Sequence, residues 1–99
     1  MATAYEAYAR AVRILATDPG RIQERLKRAY VKASSAPLDD PREDVGDHAR
    51  EAIRLLHAVM TRVPGPEGTV AATVDAMTED EAREAAERIL SIAYELRRP

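Results

Sequence analysis

The chain has 99 residues, enough for one domain and, at this size, for burial of only about 60–70% of its extended surface. Hydrophobic residues make up 45%, but 19 of those 45 are Ala, and there is no Phe or Trp, so the core must be thin. A net charge of -2 gives no global attraction to nucleic acid, and the lack of Cys excludes disulfides, thiolate nucleophiles and thiolate metal sites. The Cys-free composition fits a reducing, cytoplasmic setting. No apolar run approaches the ~18 residues of a membrane span, and the first residues lack the basic-then-apolar order of a secretory signal. Thirteen of the 15 basic residues are Arg. Together with the abundant Ala, this matches the coding bias of a GC-rich bacterial genome.

The spacing predicts a first helix over residues 3–16, where Tyr5, Tyr8, Val12 and Leu15 share one inward face. Thr17-Asp18-Pro19-Gly20 ends it. Asp18 reads as the cap of a second helix and Pro19 as its first residue, because a missing N–H costs nothing there. That helix is expected to reach Ala33, with Ile22, Leu26, Ala29, Tyr30 and Ala33 inward. Asp40-Pro41-Arg42-Glu43 repeats the start signal and predicts a third helix to about Val63. Its stripe of Val45, Ala49, Ala52, Leu56, Val59 and Val63 is widened by Ile53, Leu55 and Met60 to an arc of about 160°. So wide an arc predicts a central helix.

Pro64-Gly65-Pro66-Glu67-Gly68 is the clearest break in the chain. After it Thr69 reads as the cap of a short fourth helix, with Val70, Val74 and Met77 as its apolar side. Thr78 and Glu81 have the spacing of a capping box, opening a fifth helix that runs to about Arg97. Its stripe is Ala82, Ala86, Ile89, Ala93 and Leu96, with Ala85, Leu90 and Ile92 beside it. No strand-like alternation occurs. The expectation is an all-α fold, a bundle of four main helices and one short one, with the third and fifth supplying most of the core.

The strongest site signal is on the second helix. Arg21, Arg25, Arg28 and Lys32 are spaced 4-3-4 and share an arc of about 60°. Residues 1–36 carry seven basic and three acidic side chains, net +4, while residues 37–99 carry eight and 14, net -6. Such a stripe suits an acidic protein partner, or phosphates through counterion release. It also suits a solvated face. A helix-turn-helix reading is weak, because only Gln23 accompanies the cations as a base-reading side chain. Ile14 and Val31 fall opposite the inward faces of the first two helices and mark a second buried surface, an oligomer interface.

Glu43, Asp44, Asp47, His48 and Glu51 open the third helix. The helix dipole explains acids there, and His48 and His57 lie on opposite sides of one helix, so no metal site is expected. Neither a phosphate loop nor a Ser, His and acid grouping is visible, so neither an enzyme nor a cofactor is expected. The sequence predicts a non-enzymatic protein-interaction or regulatory module that self-associates as a dimer. Nucleic-acid binding by the basic stripe is the alternative.

Overall fold

The computed structural model describes residues 3–39, 45–66 and 68–97. Five helices follow one another: α1 (Ala4–Thr17), α2 (Ile22–Ala33), α3 (Asp47–Met60), the short α4 (Thr69–Asp75) and α5 (Glu79–Arg97). No strand occurs among the described residues. The all-helical class and the division into four longer helices and one short one are as the periodicity predicts.

The two capping boxes define their helices well. Thr3 accepts from the Glu6 amide at 3.1 Å while Glu6 reaches back to the Thr3 amide, and α1 starts there. Thr78 accepts from the Glu81 amide at 3.1 Å, and the Thr78 amide donates to Glu81 at 2.9 Å. Each box satisfies N-terminal amides that a helix leaves unpaired.

Three other starts differ from expectation. Asp18 and Pro19 do not open α2. Asp18 caps the C-terminus of α1, its amide donating to the Ile14 carbonyl at 3.0 Å. Gly20 follows at φ +106°, a left-handed conformation that helix cannot continue through, so α2 starts two residues later with Arg21 as its cap. α3 starts at Asp47 behind Gly46 and ends at Met60, short of Val63. The start signal over residues 40–43, together with Asp44, lies outside the described residues. For α4 the cap is Gly68, at φ 110°, and Thr69 is the first helical residue.

α3 is not the central helix: α5 packs on α1, α2 and α3, and α2 packs on α1, α4 and α5, whereas α3 meets α4 and α5. The main core takes Leu26, Ala29, Tyr30 and Ala33 from α2 and Ala82, Ala85, Ile89, Ile92 and Ala93 from α5, but only Leu56 and Met60 from α3. Two features of α3 explain the reversal. Ala49 goes to a separate cluster with Ala4 and Val45, and Leu55 faces out at 43% exposure. Tyr8 is buried, whereas Tyr5, expected inward, is 40% exposed.

The turn into α4 is held by Thr73, the buried polar side chain of the core. Its hydroxyl accepts from the Val63 amide at 2.9 Å and donates to the Thr69 carbonyl at 2.6 Å. Gly65 crosses directly over α4: a Cβ at that position would meet the Ala72 Cβ at 2.5 Å.

Two predictions follow from these contacts. Gly65→Ala should lower the unfolding free energy in urea by about 1–3 kcal/mol through overpacking, and Ala72→Gly in the same chain should offset part of that loss. The second concerns acid. The Thr78 amide, the Arg62 guanidinium and the Thr78 hydroxyl hold the Glu81 carboxyl below its ordinary value of 4.5. Its contribution is therefore complete above that value and is lost as pH falls through the depressed one. Thermal melts from about pH 5 to about pH 3 should show a flatter acid limb for Glu81→Gln, which keeps a capping oxygen without the charge.

Candidate functional site

The four cations expected to form one basic surface are divided by the fold. Arg25 lies along the C-terminal end of α1, where its NH1 donates to the Leu15 carbonyl at 2.6 Å and its Nε to the Gly20 carbonyl at 3.1 Å. Arg28 donates through Nε to the Asp18 carboxylate at 3.0 Å and through NH2 to the Pro19 carbonyl at 2.9 Å. These two guanidiniums supply donors to a helix end and turn whose carbonyls have no helical partner. Arg21 and Lys32 are exposed and have no such contacts among the described residues.

The basic first third and the acidic remainder are joined by one ion pair among the described residues, Lys27 to Asp75 at 2.5 Å. The other pairs lie within a half, such as Arg62 to Glu81 at 3.3 Å and His48 to Glu95 at 2.9 Å. His57 turns instead toward α2 and meets the Tyr30 hydroxyl at 2.9 Å. The two histidines thus serve opposite sides of α3. No three His, Asp or Glu side chains converge among the described residues.

The proposed apolar outliers have different fates. Ile14 is partly buried and packs against the edge of the main core, while Val31 stands 63% exposed on α2. A larger apolar surface lies elsewhere. Tyr5 of α1 and Leu90 and Tyr94 of α5 are all exposed, the last two at 53% and 69%. With Ala9, Val12, Ala93 and Arg97 they line a shallow groove of about 290 Å3 between α1 and α5.

Four α5 residues form an ordered row beside this groove: Glu87, Leu90, Tyr94 and Arg97, spaced 3-4-3. At ~100° per residue they share an arc of about 80°, centred roughly 120° round the helix from the buried Ile89. Neither Glu87 nor Arg97 has an ion-pair partner among the described residues. Arg83, one turn before the row, is engaged by Glu79 at 2.8 Å and Asp80 at 3.6 Å. The sequence reading took Leu90 as a widening of the core stripe and did not single out Tyr94. The available signal was that Leu90 and Tyr94 lie on the same side as Glu87 and Arg97, away from Ile89.

No helix is long and apolar enough to cross a membrane among the described residues. The chain matches no protein-family model, no curated protein and no solved structure.

The division of the cations predicts unequal mutational effects. Arg25→Ala should cost about 1–3 kcal/mol in urea unfolding, because partly buried carbonyls lose a charged donor. Joint replacement of Arg21 and Lys32 by Gln should stay within about 0.5 kcal/mol of the parent, as for surface changes without partners.

Proposed function

We propose that this protein is a non-enzymatic helical interaction module that works as a homodimer, paired through α5. The observation that carries this reading is the row Glu87, Leu90, Tyr94 and Arg97. It is self-complementary under two-fold symmetry. If two copies of α5 cross antiparallel with the axis near position 92, Leu90 of each copy faces Tyr94 of the other. The same operation brings each Glu87 opposite the other copy's Arg97. A two-fold interface requires this reciprocity, in which one patch contacts its own image.

The energetics favour the apolar pair as the anchor. Burial of Leu90 and Tyr94 in both copies removes four large side chains from water, at roughly 25 cal/mol per Å2 of apolar area. The flanking ion pairs stay at the rim, where each contributes about 0.2–1 kcal/mol and mainly sets direction and register. Tyr5 and the groove beside it extend the contact onto α1. Regular antiparallel pairing needs a helix several turns long, and the 19 residues of α5 span about 28 Å. This reading puts the proposed interface on α5 and α1 in preference to Ile14 and Val31, because Ile14 packs against the main core. Nucleic-acid binding is not favoured, because Arg25 and Arg28 are committed to backbone carbonyls.

Sedimentation equilibrium provides the test. The parent should be dimeric at micromolar concentration, and Leu90→Glu should be monomeric with unchanged helicity. Arg97→Glu should weaken the dimer about thirtyfold, since each of two pairs exchanges about 0.5 kcal/mol of attraction for a similar repulsion, about 2 kcal/mol in all. The double variant Glu87→Arg with Arg97→Glu restores opposite charges and should recover most of that loss. A parent that stays monomeric, or a double variant no tighter than Arg97→Glu, would overturn the arrangement.

A further inference from the structure

A second cleft, on another side of the molecule, opens between α2 and α3 and holds about 410 Å3. Its walls are largely apolar, formed by Ala33, Leu38 and Ile53 among others, and polar side chains from α1, α2 and α3 also line it. Tyr8 of α1 lines it although the residue is only 1% exposed. The Tyr8 hydroxyl has no hydrogen-bond partner among the described residues, yet no enclosed side-chain oxygen or nitrogen there is left unsatisfied. The small remaining exposure of Tyr8 is therefore its hydroxyl, which meets the cleft. A buried phenol ring that keeps its O–H unpaired toward a cavity holds a donor ready for a ligand.

Two further groups give that donor a context. Tyr30 also lines the cleft, and its hydroxyl is hydrogen-bonded to His57 Nδ1 at 2.9 Å, which fixes its orientation. Burial raises both phenols above their ordinary value, and the nearby Tyr30 further opposes charge on Tyr8, so both keep their protons at neutral pH. On the rim Arg50 spends its Nε on the Val45 carbonyl at 3.0 Å and leaves both terminal nitrogens without partners among the described residues. Arg54 also borders the cleft, turned toward Glu51, and Asp39 is the acid of the rim.

We propose that this cleft binds a small organic carboxylate with an apolar, ring-sized body. The body fills the space between Ala33, Leu38 and Ile53. The carboxylate accepts from the Tyr8 O–H and from the free end of the Arg50 guanidinium. Two donors of different reach, one buried and one at the mouth, suit the two oxygens of a carboxylate. Mostly apolar walls with a few converging polar groups are the usual build of a small-molecule site. The site does not use the dimer row and stands independently of it.

Benzoate is the probe, followed by two-dimensional amide NMR of the full chain, with benzyl alcohol as its neutral counterpart. Benzoate should shift the amides of Ala33, Ile53 and His57 with a dissociation constant on the order of 1 mM, the range for about nine non-hydrogen atoms. Benzyl alcohol should bind at least tenfold more weakly. Tyr8→Phe should weaken benzoate about tenfold while leaving the melting temperature unchanged, because the hydroxyl has no partner in the fold. Arg50→Gln, at the exposed rim, should weaken benzoate similarly and leave benzyl alcohol unaffected. No benzoate shifts at these residues, equal binding of the alcohol, or full affinity in both variants would overturn the proposal.

Discussion

The structure depends on how closely α5 can be approached. Its inner face is built from Ala82, Ala85, Ile89, Ile92 and Ala93, and three of those five side chains are single methyl groups. Facing helices bring Ala11, Ala29 and Ala33 to the same core. Side chains this small let backbones come near each other, and dispersion then acts over many close atom pairs rather than through a few bulky residues. Large residues stand where small ones leave gaps: Tyr8, Leu26, Leu56 and Met60 are all essentially buried. Because the inner face of α5 is shared by α1, α2 and α3, the opposite face is left to present its own chemistry.

A thin core leaves helix ends and turns poorly covered, and here Arg takes over the sealing. Arg25 reaches Leu15 and Gly20, Arg28 reaches Pro19, and Arg50 reaches Val45, in each case through a backbone carbonyl. A guanidinium suits this use, since it has five donors in a rigid fork and a stem that covers apolar surface. Two of the seven cations of the first 36 residues, Arg25 and Arg28, are thus structural. Thr73 plays the same part at the other end of the molecule, where the chain after α3 folds over α4. These polar contacts join segments that the alanine-rich faces alone would hold loosely.

The sequence disclosed what depends on near neighbours in the chain. Periodicity revealed all five helices, and the capping box at Thr78–Glu81 acts over three residues, so α5 was placed closely; the box at Thr3–Glu6 has the same spacing and was overlooked. The start of α2 was misjudged because Asp18-Pro19 carries the same local signal as a real cap, and the left-handed Gly20 that defeats it is a matter of backbone geometry. The 4-3-4 spacing of Arg21, Arg25, Arg28 and Lys32 was visible, but their acceptors were not. The Leu15 carbonyl lies ten residues before Arg25, across a turn whose direction no helical spacing encodes. Likewise Tyr30 and His57 are 27 residues apart, and only the packing of α2 beside α3 brings them together.

The α5 row shows why such a surface escapes a reading based on core patterns. A stripe search rewards apolar residues wherever they widen an arc, so Leu90 merged with Ile89 and Ile92 as more core. Once α1, α2 and α3 occupy their positions, the helix circumference is divided, and Leu90 falls outside the covered sector with Tyr94. An apolar pair flanked by one acid and one base is then distinguished by order as well as by exposure. Reversed in direction, the row reads Arg97, Tyr94, Leu90, Glu87, with the same spacing and with each charge facing its opposite. The helix dipole already favours Arg97 in the last turn of α5. The proposed antiparallel pairing would use the same order, because contact between identical helices penalises like charges at paired positions and rewards unlike ones.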